Sequence, residues 1–209
     1  MKEVPTMAIN LQDREYRSFA EFRLAEEGAD GSWVEGYAAV FESPTVLYSF
    51  DGVDFKETIE RGAFDSADLR DVILNYNHAG KVVARTRNKT LQLTVDDRGL
   101  LVRARLDGTE EGRKLYEEIR GGYLDKMSFA FSIEDAEFDR ETRTRSIKKV
   151  QRLYDVSVVS LPAYEDTSIS ARSFFSAVAE EERNALESAA LLELEKQKFQ
   201  FYIQRTKGA

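Results

Sequence analysis

Polar and apolar residues alternate in short runs over most of the first 160 positions, the period of two that turns one face of a β-strand to a core and the other to solvent. Residues 16–24 and 33–41 carry the pattern with aromatic and β-branched side chains, and Glu26-Glu27-Gly28-Ala29-Asp30-Gly31 between them predicts a polar turn. After Ser43-Pro44 a third alternating piece covers residues 55–59, where Gly62 ends it and Ala63-Phe64 is expected to open a short helix. Val72-Ile73-Leu74 reads as a short buried strand running into the polar turn Asn75-Tyr76-Asn77-His78-Ala79-Gly80. The plainest hairpin signal is the pair 90–95 and 100–106, alternating on either side of Asp96-Asp97-Arg98-Gly99.

The period then changes. Leu115 and Ile119 stand one helical turn apart among charges in residues 110–120, and Gly121-Gly122 stops that amphipathic helix. Alternation resumes strongly over 126–133 and again over 146–161, with the charge-rich segment 135–145 expected as a long turn between two strands. From 176 to about 205 the chain is rich in Ala, Leu and Glu without Gly or Pro, which predicts a helix of about 30 residues, or roughly 45 Å. Leu186, Ala189, Ala190, Leu194 and Gln197 give it an incomplete apolar stripe, expected of an arm that packs on a partner or on another copy. The organisation read from this is an N-terminal tail (1–15), a mainly β domain with one or two helices (16–172) and a C-terminal helical arm (173–209).

Composition narrows the chemistry. A length of 209 residues suits one domain with a full core plus an appendage. The net charge of −8 argues against nucleic acid as partner, since phosphate binding draws on clustered Lys and Arg. Absence of cysteine rules out a disulfide framework and a thiol nucleophile, and fits a reducing cytoplasm. With one histidine and no cysteine, a metal site would need carboxylate oxygens alone, and no EF-hand spacing occurs, so no metal or cofactor is expected. No apolar run approaches membrane length, and a soluble protein without membrane contact is expected.

Hydroxyl nucleophiles need a base within hydrogen-bond reach, usually an imidazole oriented by a third group. His78 is the one imidazole available, in an accessible turn, and an ordinary surface-turn histidine is the alternative reading. In Lys126-Met127-Ser128-Phe129-Ala130-Phe131-Ser132 the large side chains fall on one face and Ser128, Ala130 and Ser132 on the other. That leaves room beside Ser128 for a peptide, though any half-buried strand has the same look. Asp155 sits within the apolar run Leu153-Tyr154-Asp155-Val156-Ser157-Val158-Val159, where a carboxylate needs a partner. An imidazole N–H, Arg152 or solvent would each serve.

Taken together, five segments in order resemble the prohead maturation proteases of phages with HK97-type capsids, in the clan of herpesvirus assemblin. They are Gly36-Tyr37-Ala38-Ala39-Val40-Phe41, Ile59-Glu60-Arg61-Gly62-Ala63-Phe64, Leu74-Asn75-Tyr76-Asn77-His78, Asp125-Lys126-Met127-Ser128-Phe129-Ala130-Phe131, and Tyr154-Asp155-Val156-Ser157-Val158-Val159 followed by Pro162-Ala163-Tyr164. The resemblance implies a closed antiparallel β-barrel of herpesvirus-protease type with flanking helices, Ser128 as nucleophile and His78 as base. It points to Asp155 as third member, with Glu165 or Asp166 as fallbacks and Ser132 as a weaker nucleophile, and to oxyanion donors near residues 160–163. It further implies cleavage of the scaffolding segment of the major capsid protein, of other internal proteins and of the protease itself, inside the assembling procapsid in the host cytoplasm. The rival from another class is a non-catalytic assembly protein, a β module with a helical arm that guides capsid subunits.

Overall fold

The computed structural model describes residues 14–21, 23–25, 31–160 and 169–207. The chain divides into two units, Met1–Arg172 and Ser173–Ala209. In the first, alternation becomes strand wherever a face has apolar neighbours to meet. These strands are β1 (Glu15–Glu21), β2 (Arg23–Leu24), β3 (Trp33–Val40), β4 (Thr45–Phe50), β5 (Val53–Ile59), β6 (Ile73–Tyr76), β7 (Ala79–Arg85), β8 (Leu91–Val95), β9 (Gly99–Arg105), β10 (Lys126–Asp139) and β11 (Thr144–Val159). One sheet runs β2-β3-β9-β8, and the other β1-β10-β11-β5-β4, with β6 paired to the second half of β11 and β7 to β6. Their inward residues, among them Val34, Leu100, Val102, Phe129, Phe131, Leu153 and Val156, form one continuous core.

The β8–β9 hairpin forms as its turn residues require. Asp96 accepts the Arg98 and Gly99 backbone N–H groups at 2.8 and 3.0 Å. A Cβ on Gly99 would stand 1.9 Å from the Ala39 carbonyl oxygen, so the approach of β9 to β3 admits only glycine. Helix α1 (Glu110–Arg120) starts where Thr109 Oγ1 accepts the Gly112 N–H, carries Glu110 and Glu111 in its first turn, and buries Leu115 and Ile119.

Four expectations need correction. The closed antiparallel barrel does not form: both sheets are open, and β11 runs parallel to β5 and to β6. A barrel needs an unbroken ring of ladders with a consistent stagger, but β1 and β3 lie close without sharing a ladder, β1 pairing with β10 and β3 with β9. The run 16–24 is correspondingly split between two sheets. The charge-rich segment 135–145 is mostly strand, because pairs such as Ala136 with Ile147 and Phe138 with Arg145 prolong the β10–β11 ladder and leave only residues 140–143 as the turn. Ala63-Phe64 opens no helix. After Gly62, at φ +84°, the chain makes successive tight turns that bury both side chains. Strands β4 and β7 had no predicted counterpart. The tail 1–13 and the turn residues 26–30 lie outside the described residues.

The second unit is most of helix α2 (Ile169–Lys207), longer than the predicted 176–205. Its Leu186, Leu191, Leu192, Leu194 and Phe199 are exposed. Among the described residues no helix is long and apolar enough to cross a membrane.

Four charges are buried together where β1, β11 and β5 meet. Arg17 donates to both Glu57 oxygens at 2.5 and 2.7 Å and to Glu15, while Arg145 donates to Glu15 at 3.0 Å and to Glu57 at 3.4 Å. None of the four exposes more than 4% of its surface. Burial alone would lower the Arg17 pKa, but Glu57 and Glu15 reverse this and push it up. Burial alone would raise the Glu15 pKa, and Arg17 with Arg145 instead hold it below the usual carboxylate range. A depressed folded-state pKa contributes stability above the unfolded value, about 4.3, that is lost as pH falls through the folded value. Glu57→Gln is therefore expected to cost about 3–5 kcal/mol in urea unfolding at pH 7 by leaving two buried guanidinium groups short of charge. In Glu15→Gln the loss of stability below about pH 4 should shrink.

Candidate active site

Ser128 lies in the middle of the larger sheet, its backbone opposite Ser18 of β1 on one side and Ser157 of β11 on the other. Met127, Phe129, Phe131 and Ile133 fill the core as the alternation requires, but Ser128, Ala130 and Ser132 are also fully buried. The small-residue face expected to be open to a peptide is thus covered.

His78 reaches this strand from a turn. β6 ends at Tyr76 and β7 begins at Ala79, the two residues paired, so Asn77-His78 is a two-residue hairpin loop. Both loop residues have positive φ, +50° and +55°, the mark of a type I′ turn, whose second position normally takes glycine. Histidine in that position is strained, and several bonds hold it. Asn77 N–H donates to the Val158 carbonyl at 2.9 Å, Asn77 Oδ1 accepts the Ser160 N–H at 3.1 Å, and His78 N–H donates to Ser157 Oγ at 3.1 Å.

The ring then lies between two side chains. His78 Nδ1 is 2.5 Å from Asp155 Oδ1 and Nε2 is 2.8 Å from Ser128 Oγ. Tyr16 of β1 packs edge-on against the imidazole, ring centres 4.6 Å apart. The His78 side chain is 19% exposed and that of Asp155 8%. With Asp155 ionised, Nδ1 carries the hydrogen and Nε2 is left to accept from the Ser128 hydroxyl.

Of the residues picked from sequence, Ser128, His78 and Asp155 come together. Asp155 meets the imidazole, whereas the Arg152 guanidinium lies over the Tyr154 ring at 5.0 Å. Ser132 bonds to Gln151 at 3.1 Å and receives the Tyr154 hydroxyl at 3.4 Å. Glu165, Asp166 and residues 161–163 lie outside the described residues, and the Ser160 N–H, one of the expected oxyanion donors, is engaged by Asn77. Asn75 and Ser157, beneath the imidazole, were missed, as was the hairpin itself. Asn77 between two strands was the available signal. Beside the turn opens a cavity of about 520 Å³, lined in part by Tyr76, Asn77, Ala79, Val83, Lys114 and Leu115. Among the described residues no three Asp, Glu or His side chains are grouped to hold a metal ion.

Residues 20–181 match the family described as Caudovirus prohead serine protease, a span that includes all three of these residues. The chain belongs to that family. Among curated relatives of this family member is the prohead protease of Enterobacteria phage HK97, 30% identical over 155 residues. That alignment covers 72% of this chain but 64% of the relative, so the chain spans somewhat under two thirds of that protein. Among solved structures, the capsid assembly protease of bacteriophage T4 aligns over 71% of this chain and 98% of its own, with a TM-score of 0.46 and 13% identity.

Asn77→Ala should destabilise by about 1–2 kcal/mol more than Asn77→Gly in urea unfolding, since both lose the Ser160 bond but only alanine is strained at positive φ.

Proposed function

We propose that this chain is a serine endopeptidase that cleaves the scaffolding segment of the major capsid protein, other internal procapsid proteins and itself, within the assembling procapsid in the host cytoplasm. The observation that carries the reading is the unbroken line of contacts Ser128–His78–Asp155, with the imidazole in reach of both neighbours. Membership in a family described as prohead serine proteases supports this reading.

As Ser128 Oγ bonds to the substrate carbonyl carbon, Nε2 takes the hydroxyl proton, and Asp155 stabilises the imidazolium. Collapse of the tetrahedral species breaks the C–N bond while Nε2 gives the proton to the leaving amine. Water, deprotonated by the same nitrogen, then attacks the ester and releases the acid with Ser128 restored. Because Ser128 has no exposed surface, an entering carbonyl must displace what lies over it. The cavity beside Asn77 offers space for a neighbouring side chain of the polypeptide. The protease domain is assigned to 16–172 and the arm to 173–209, with the arm as a tether to scaffold.

Co-expression with the capsid protein, read by mass spectrometry, should show defined cleavage products with the wild-type chain and none with Ser128→Ala. Full cleavage by Ser128→Ala would rule out Ser128 as the nucleophile, whereas no cleavage by either chain, with capsid assembly equally supported by both, would favour the assembly-protein reading. Asp155→Asn should slow cleavage by about 10⁴-fold through loss of the required tautomer. Deleting the chain from Ser173 onward should lower its incorporation into procapsids, and undiminished incorporation would rule out the tether.

A further inference from the structure

We propose that Ser157 is a positioning residue for His78, acting on both its main chain and its ring; this rests on the catalytic reading of Ser128, His78 and Asp155. Ser157 is wholly buried on β11, two residues from Asp155 and on the same face. It is paired across the sheet with Ser128 on β10 and with Asn75 on β6. Ser128, Ser157 and Asn75 therefore form a polar row over three adjacent strands. The imidazole lies against this row, with Asp155 at Nδ1 and the Tyr16 ring against its side.

Four polar groups converge on the one hydroxyl. Its oxygen is 3.1 Å from the His78 backbone nitrogen, 3.2 Å from His78 Nδ1, 3.0 Å from Asp155 Oδ1 and in contact with the Asn75 amide. A hydroxyl has one hydrogen to give and two lone pairs with which to accept. In the structure the Asn75 oxygen faces Ser157 and accepts from it, and with the one hydrogen spent there Ser157 and Asp155 face each other as two acceptors. Turning the amide over, which leaves its shape unchanged, satisfies the groups that meet at Ser157 Oγ. Asn75 then donates to Ser157, His78 N–H donates to Ser157, and the Ser157 hydroxyl donates to Asp155. In this arrangement one side chain fixes the strained turn that carries His78 and also directs the Asp155 oxygen that receives the Nδ1 hydrogen. An apolar residue here would leave the His78 N–H and one Asp155 lone pair without their bonds.

The test uses the rate at which a small fluorophosphonate labels Ser128, followed across pH in the full chain, since this needs no knowledge of the natural substrate. Ser157→Ala should slow labelling by about 10²-fold, the size of loss that follows a small misplacement of a reacting group. It should also displace the acid-limb midpoint of the pH profile, and Ser157→Thr, which keeps the hydroxyl, should recover most of both. A folded Ser157→Ala protein with the wild-type rate, or a slower one with an unmoved midpoint, would overturn the proposal, the latter showing a structural role only. Should Ser157→Ala not fold, amide exchange at His78 in the wild type decides: protection supports the bond to Ser157, and exchange at the rate of an exposed amide refutes it. Failure of the wild type to label at Ser128 at all would instead sink the catalytic reading, and the positioning role with it.

Discussion

The parallel ladder between β6 and the second half of β11 is the constraint on which the site depends. It sets Asn75 beside Ser157 and Tyr76 beside Val158, and so brings the next two residues, Asn77 and His78, over the strand that carries Asp155. A slip of one residue would turn the polar side chains of β6 to the opposite face and lift the imidazole from both of its partners. β10 completes the arrangement from the other side by placing Ser128 opposite Ser157. The three catalytic candidates come from three distant parts of the chain, and two inter-strand registers are enough to unite them.

The placement of β1 and β5 against the start of β11 is held by charge as well as by packing. The cluster of Arg17, Arg145, Glu15 and Glu57 ties β1, the start of β11 and β5 together without leaving a net buried charge. Buried ion pairs add little net stability compared with well-packed apolar groups, but a misaligned one is costly. Such a cluster penalises any register that separates its members. At the other end of β11, strain at the Asn77-His78 turn is offset by bonds to Val158, Ser157 and Ser160. A single long strand thus anchors the fold at its beginning and the site at its end.

Much of the secondary structure was legible because it depends on local pattern. Helix α1 spans the predicted residues 110–120, and the hairpin around Asp96 to Gly99 forms with the turn chemistry read from it. Strand β7 escaped because its first half, Ala79 to Val82, is exposed and so has no alternation to show. The continuation of β10 and β11 through a charged segment escaped because cross-strand pairing with only part of one face buried sustains it. Sheet closure was misjudged because alternation fixes faces and leaves partners open. Residue chemistry alone left His78, Ser128 and Asp155 each with a bland alternative, and their association rested on resemblance to a family. Ser157 carried no signal, since a serine among valines gains its meaning only from the parallel pairing with β6.

One ring, held between a carboxylate and a hydroxyl, carries the proposed chemistry. Because the chain contains a single histidine, nitrogen-15 NMR of the imidazole in the intact protein reads that ring alone. In its neutral form the ring is expected to carry its hydrogen on Nδ1 and leave Nε2 bare. A neutral ring with the hydrogen on Nε2, or one averaging between tautomers as in free solution, would contradict the proposed chemistry.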